Sequence, residues 1–220
     1  NNSESVWEIQ HTNSEIGVGN FLNQWLFSKK VNGYGFAEVT EAYVNMFEAN
    51  DPRFGFTVAK NNDPYFGAIY KNSFSSTKYS TKKFLQPDSE VTQKADGDIN
   101  YTAIRYADVL LWQAEALNEL GRVIEAQQPL EEVRARARAQ SSVSNALPLI
   151  STTDQTEMRN AIIHERAVEL GFEFHRFFDL VRWGIAAQTL PGFVSGKHEV
   201  FPLPQTELDL NPALLQNNGY

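Results

Sequence analysis

The sequence predicts a mainly α fold of antiparallel helical hairpins with short β-strands and long loops. Three observations predict it. Apolar residues recur at helical spacing through residues 101–139, a second such pattern runs through 154–183, and the first half is rich in Gly, Asn and aromatic residues that break any long period.

Ser5–Gln10 alternates apolar and polar residues, which puts Val6 and either Trp7 or Ile9 on opposite faces of a short strand. Residues 11–36 mix Gly17, Gly19, Gly33 and Gly35 with Asn and with Phe21, Trp25, Phe27, Tyr34 and Phe36, a composition that favours an ordered but irregular loop. Such loops are natural places for recognition. Val39, Tyr43, Met46 and Phe47 predict a short helix over 38–49, ending before Asn50-Asp51-Pro52. Residues 54–98 read as strand and loop.

Over residues 101–120, Ile104, Ala107, Leu111 and Ala114 form one apolar face and Tyr106, Leu110, Leu117 and Leu120 a neighbouring one, so a helix buried on two sides is expected. Gly121 stands where a left-handed cap is needed, and Val123, Ala126, Leu130, Val133 and Ala137 mark a second helix antiparallel to the first. Pro129 inside it predicts a kink or a late helix start. The pattern ALNELG followed by Glu125-Ala126 resembles a tetratricopeptide repeat, in which small residues let paired helices stack into an α-α superhelix. Asp154 and Glu157 make a capping-box-like start to a third helix, reaching about Gly171 on Met158, Ala161, Ile162, Val168 and Phe172. A fourth spans about 174–183 and presents Phe174, Phe177, Phe178 and Val181.

At 220 residues the chain suits one domain with one core. With 42% hydrophobic and 21% charged residues and no apolar run of membrane-spanning length, it reads as soluble and globular. A net charge of −8 argues against nucleic acid as a partner. The absence of Cys excludes disulfides, thiolate zinc sites and a cysteine nucleophile. The opening residues lack the features of a signal peptide, so the natural amino terminus is expected to lie further upstream.

Glu165 falls on the apolar face of the third helix and must be paired with a cation or stay protonated; Arg166, Arg176, Arg182 and Arg105 are the available partners. Glu165, Glu169, Glu173 and Asp179 fit a paired-carboxylate hydrolase or, better, a buried ion-pair network. His164-Glu165 begins a zinc motif that Val168 breaks, and Asp96, Asp98 and Asn100 begin a calcium loop that Tyr101 and Ala107 break. No phosphate-binding motif occurs, so no metal and no cofactor is expected.

The remaining candidates are ligand-binding: Trp25, Tyr34, Phe36, Tyr65, Phe66 and Tyr70, with Asn23 and Asn32 beside them. Sugar rings present apolar C–H faces to exposed aromatics, and their hydroxyls suit amide donors and acceptors, a combination fitted to neutral glycans. The competing reading is that these rings form a satellite core under a long loop.

Four blocks carry a family resemblance: IRYADVLLWQAEALNELG (104–121), EEVRARA (131–137), ERAVELGFEFHRFFDLVRWG (165–184) and FPLPQTELDLNPALLQNNGY (201–220). In this order they resemble the carboxy-terminal region of the SusD/RagB family, with SVWEIQ (5–10) and NDPR (50–53) as weaker landmarks. Ala167 stands where a second Arg is frequent and Phe174 where Gly is common. The resemblance implies a SusD-like fold over 1–220, with a loop-rich, ligand-facing part (1–100) and a helical part with a carboxy-terminal tail (101–220). It also implies a non-catalytic, outward-facing lipoprotein of the cell outer membrane. Such a protein captures a glycan ligand for a TonB-dependent, SusC-like transporter and meets the membrane only through an N-terminal lipid anchor. The alternatives from other classes are a tetratricopeptide-type peptide-binding scaffold and a glycoside hydrolase using Glu165 and Asp179.

Overall fold

The computed structural model describes residues 3–13, 17–91 and 96–220. Residues 14–16 of the expected loop, 92–95 of the expected strand-and-loop stretch, and the first two residues lie outside that description. The chain divides into two compact units, Asn1–Glu173 and Phe174–Tyr220.

In the first unit, β1 (Ser5–Ile9) is followed by α1 (Leu22–Leu26), a 3-10 turn (Lys29–Val31), α2 (Glu41–Val44) and α3 (Arg53–Thr57). Short strands β2 (Val58–Ala59), β3 (Pro64–Tyr65) and β4 (Ala68–Ile69) come next, then a second 3-10 turn (Asn72–Phe74), β5 (Ser80–Thr81) and β6 (Tyr101–Arg105). The long helices α4 (Tyr106–Glu119), α5 (Val123–Arg138) and α6 (Gln155–Glu169) complete the unit. The strands pair antiparallel as β1 with β6, β2 with β5 and β3 with β4.

The pairing of β1 with β6 corrects the expectation of a helix from residue 101. Tyr101, Thr102 and Ile104 favour extended backbone, and β1 offers the hydrogen-bonding edge that holds them in it, Glu8 opposite Thr102 and Ile9 opposite Tyr101. The Tyr106 N–H donates to Glu4 O at 2.8 Å, so the helix starts where the ladder ends. Val6, Trp7 and Ile9 are all exposed, so β1 contributes backbone pairing rather than a buried apolar face.

α4 packs against both α5 and α6, as expected of a helix buried on two sides, although its second face is covered only at Leu110 and Leu117. Ala107, Leu110, Leu111 and Ala114 face the core, whereas Tyr106 and Leu120 are exposed. Gly121 adopts a φ of 74°, and its N–H donates to Asn118 O while the Arg122 N–H donates to Leu117 O, the paired bonds of a Schellman cap. The chain then reverses into α5, which begins at Val123, so Pro129 does not delay it. Asp154 Oδ1 accepts from the Thr156 and Glu157 N–H groups at 2.8 Å each and caps α6. The Glu157 side chain accepts from Thr152 Oγ1, so the box is half formed. At the junction of α4 and α6, Asn118 and Gln155 exchange amide hydrogen bonds with each other's carbonyls at 3.1 and 2.6 Å.

The unit holds two apolar clusters rather than the single core expected. One joins Leu111, Ala114, Ala126, Leu130, Met158 and Ile162 from α4, α5 and α6. The other lies under the loops: Leu26, Phe27, Ala59, Tyr65, Tyr70 and Leu85. The helix expected over 38–49 shrinks to α2, which starts late because Thr40 Oγ1 caps it, accepting from the Tyr43 N–H at 3.2 Å.

The second unit contains α7 (Arg176–Arg182), α8 (Ala186–Thr189) and α9 (Gln205–Leu210). Phe174, at a φ of 69°, and Gly184, at 70°, keep α7 shorter than the 174–183 expected. Its Phe177 ring lies 5.5, 6.3 and 6.2 Å from those of Phe178, Phe193 and Phe201.

Burial makes one test simple. Leu111→Ala empties a fully buried position and is expected to lower the unfolding free energy by about 2–5 kcal/mol in urea titration, whereas Leu120→Ala, at a 72% exposed position, is expected to change it by less than about 0.5 kcal/mol.

Candidate functional site

Glu165 and Glu169 lie one helical turn apart on α6, both buried, and Glu173 follows in the turn beyond. The partners of Glu165 differ from those expected. Arg53 Nη1 donates to its Oε1 and Arg134 Nη1 to its Oε2 at 2.8 Å. Arg53 also holds Asp51 at 2.8 Å and Glu169 at 3.1 Å, and Arg134 holds Glu48 at 2.7 Å. Arg105, one of the expected partners, instead meets Glu169 at 2.6 Å and Glu173 at 2.7 Å; Arg166 meets Asp108 at 2.7 Å; Arg182 meets Asp179 at 3.0 Å. Arg136 reaches Glu169, and Lys83 reaches Glu173, both at 2.5 Å.

An open cleft of about 430 Å³ lies over this network, lined among others by Phe56, Lys83, Arg105, Arg136, Glu169 and Glu173. Its carboxylates are poorly suited to acid catalysis. Burial disfavours the charged form of Glu169, yet Arg105, Arg136 and Arg53 outweigh it and hold the carboxyl at about 2. Burial likewise opposes, and Lys83 and Arg105 overcome, the charge on Glu173, whose pKa is also lowered. A general acid must carry a proton near neutral pH, and these groups do not.

Glu48, His164 and Glu165 approach one another closely enough for a metal ion. Arg134 takes both carboxylates, and His164 Nε2 donates its N–H to Met46 O at 2.7 Å, so that nitrogen offers no lone pair to a metal. Glu48 and Glu165 belong instead to the arginine network, through Arg134.

The aromatic candidates separate into two groups. Trp25, Tyr34 and Phe36 are exposed, at 43%, 47% and 70%, and Asn32 is exposed at a left-handed φ of 74°. The Tyr34 N–H donates to Gln24 O at 2.8 Å and the Phe36 N–H to Trp25 O at 2.9 Å, which fastens the Tyr34–Phe36 stretch to α1. The Tyr34 and Phe36 rings lie 5.3 Å apart, and Phe21, also exposed, lies 5.8 Å from Trp25. Gly33 permits this close return, since a Cβ there would run into the Phe27 carbonyl. Nothing in the sequence sets Phe21 apart from the buried Phe27.

Tyr65, Tyr70 and Asn23 are corrected. Both tyrosines are fully buried in the second apolar cluster, their rings 5.1 Å apart edge to face, and neither offers a surface to a ligand. Asn23 is buried, its Oδ1 accepting from the Gln86 N–H at 2.9 Å, a structural use of the amide. Phe66 is half-buried against the same cluster, 5.7 Å from Tyr65.

A sequence profile described as the SusD family matches residues 3–199. The chain belongs to the SusD family. A SusD-like protein of Formosa agariphila, P25, is 30% identical over 209 residues, covering 86% of this chain and 36% of that protein. The crystal structure of a SusD superfamily protein from Bacteroides vulgatus superposes with a TM-score of 0.81 at 26% identity, covering 100% of this chain and 52% of that one. Surface glycan-binding protein A from Bacteroides thetaiotaomicron, solved in complex with laminarihexaose, superposes with a TM-score of 0.73 at 21% identity, covering 98% of this chain and 52% of that one. The chain thus spans about half the length of these two solved proteins, and its mainly α, tetratricopeptide-like fold is theirs.

The depressed pKa of Glu169 sets a pH dependence for this SusD-family chain. Its folded value of about 2 lies below the ordinary 4.5, so the stabilisation is complete above about pH 5 and is lost as pH falls toward 2. Urea unfolding between those limits is expected to show a loss on the order of 3 kcal/mol from this group, reduced in Glu169→Gln.

Proposed function

We propose that the protein is a non-catalytic glycan binder on the outward face of the outer membrane, delivering oligosaccharide to a TonB-dependent, SusC-like transporter. The observation that carries the reading is the exposed ring strip of Phe21, Trp25, Tyr34 and Phe36 in a chain whose buried glutamates are bound to arginine or lysine. Exposed rings backed by a fixed backbone suit the apolar faces of sugars. Membership of the SusD family and the laminarihexaose complex of a structural relative support it. Attachment to the membrane is assigned to an N-terminal lipid anchor; among the described residues no helix is long and apolar enough to cross a membrane. Nucleic acid and cofactors have no part in this reading.

The hairpin of α4 and α5 supports a second reading, a tetratricopeptide-type scaffold for a peptide, since Leu120 and Ile124 are exposed near its tip. Retention of a defined peptide by the protein, without glycan binding, would favour that reading.

A glycan array followed by titration calorimetry tests the first. Trp25→Ala with Tyr34→Ala is expected to weaken binding of the best array ligand by about tenfold or more, each lost stacking contact contributing about 0.5–1.5 kcal/mol. Unchanged affinity removes these two residues from the site.

A further inference from the structure

Residues 21–36 and 64–79 contain four lysines, Lys29, Lys30, Lys71 and Lys78, and no Asp or Glu, in a chain of net charge −8. The two stretches pack together. Ser28 Oγ donates to Phe74 O at 2.5 Å, Phe27 stacks on Tyr65 with centroids 5.0 Å apart, and the 3-10 turn Lys29–Val31 lies beside the turn Asn72–Phe74, which Lys71 precedes. Like charges gathered this way repel one another, and neighbouring carboxylates would ordinarily relieve them.

Here no carboxylate does so. Other lysines of this unit are engaged: Lys82 meets Asp63 at 3.1 Å, Lys83 meets Glu173, and Lys60 lies over the Phe54 ring. Lys29, Lys30, Lys71 and Lys78 are exposed and, among the described residues, form no ion pair. Of the two acids that flank the stretches, one is already paired with another lysine. Asp63 accepts from Lys82 and from the Lys60 N–H, whereas Glu38 accepts from the neutral Ser76 N–H and hydroxyl and lies near the Lys78 end of the second stretch, so Lys78 is left out of the site proposed below. Lys29 also borders the ring strip: a methyl group at Gly35, between Tyr34 and Phe36, would touch Lys29 Cγ at 3.6 Å.

We propose that the aromatic loop binds an acidic saccharide, with Lys29, Lys30 and Lys71 meeting carboxylate or sulfate groups while the exposed rings take the apolar sugar faces. The proposal rests on the glycan-binding reading and narrows it, replacing the neutral glycan that rings and amides alone suggest. A local cationic patch overrides the repulsion that the acidic remainder of the chain exerts at longer range, where salt screens it.

The test compares matched probes by titration calorimetry: oligogalacturonate against its carboxyl-reduced form, and a sulfated galactan against its desulfated form. At about 50 mM salt the acidic member of at least one pair is expected to bind about tenfold tighter, with the gap closing toward about 500 mM. Which pair shows the gap separates carboxylate from sulfate recognition. The triple variant Lys29→Gln, Lys30→Gln, Lys71→Gln, checked for an unchanged circular dichroism spectrum and melting temperature, is expected to lose the gap and keep its affinity for the uncharged member.

Equal binding of charged and uncharged members, or a gap that survives the triple variant, overturns the proposal and leaves glycan binding standing. Binding of neither member of either pair overturns the proposal, and the glycan array then decides the glycan-binding reading separately. Lysine-dependent binding to phosphatidylglycerol vesicles without any saccharide preference would assign the patch to an anionic membrane surface, also against the proposal.

Discussion

Two carboxylates one turn apart on α6 are neutralised by arginines from three other parts of the chain: Arg53 of α3, Arg105 of β6, and Arg134 and Arg136 of α5. Apolar burial is non-directional and tolerates many arrangements of such pieces. A planar guanidinium that must reach two acids at once tolerates few. Desolvating these ions costs several kcal/mol each, so their main effect is on which arrangement forms, with net stability left chiefly to the cluster around Leu111 and Leu130.

This constraint also shapes what the surface can do. Held ionised and multiply bonded, Glu169 and Glu173 have neither the proton nor the freedom that acid–base chemistry requires, and Glu165 is tied between Arg53 and Arg134. The loop-borne rings are placed in the opposite way. α1 turns Leu26 and Asn23 inward and leaves Trp25 out, and backbone bonds from Tyr34 and Phe36 hold the returning strand of the loop against it. The scaffold is thus closed by charge and the recognition surface is opened by aromatic side chains.

Much of the helical half was legible because one buried face repeats at a fixed period, so α4, α5 and α6 could be read from Leu111, Leu130 and Ile162 and their neighbours. Gly121 and Asp154 were legible because a cap is a local event. Long-range partners were not. β6 reads as helix until β1, about a hundred residues earlier, supplies its hydrogen bonds. Glu165 demanded a cation, yet nothing local singled out Arg53, 112 residues away, although the NDPR landmark contained it. Composition also could not separate the fully buried Tyr65 and Tyr70 from the exposed Trp25 and Tyr34, since each stretch is equally rich in aromatic and small polar residues. Phe174 illustrates a further gap: the position where Gly is common proves to need a left-handed backbone, a requirement that one side chain alone does not announce.

The central claim, that paired charges fix how α5 and α6 are joined, is tested most directly by a double-mutant cycle on Arg134 and Glu165 measured by urea unfolding. Arg134→Met and Glu165→Leu are each expected to be destabilising, because each leaves a buried charge with one ion partner fewer, Glu165 with Arg53 and Arg134 with Glu48, while the double variant recovers part of that loss, giving a coupling energy of about 1–3 kcal/mol. Additive effects, with coupling near zero, would show that the two residues act independently and would contradict the account.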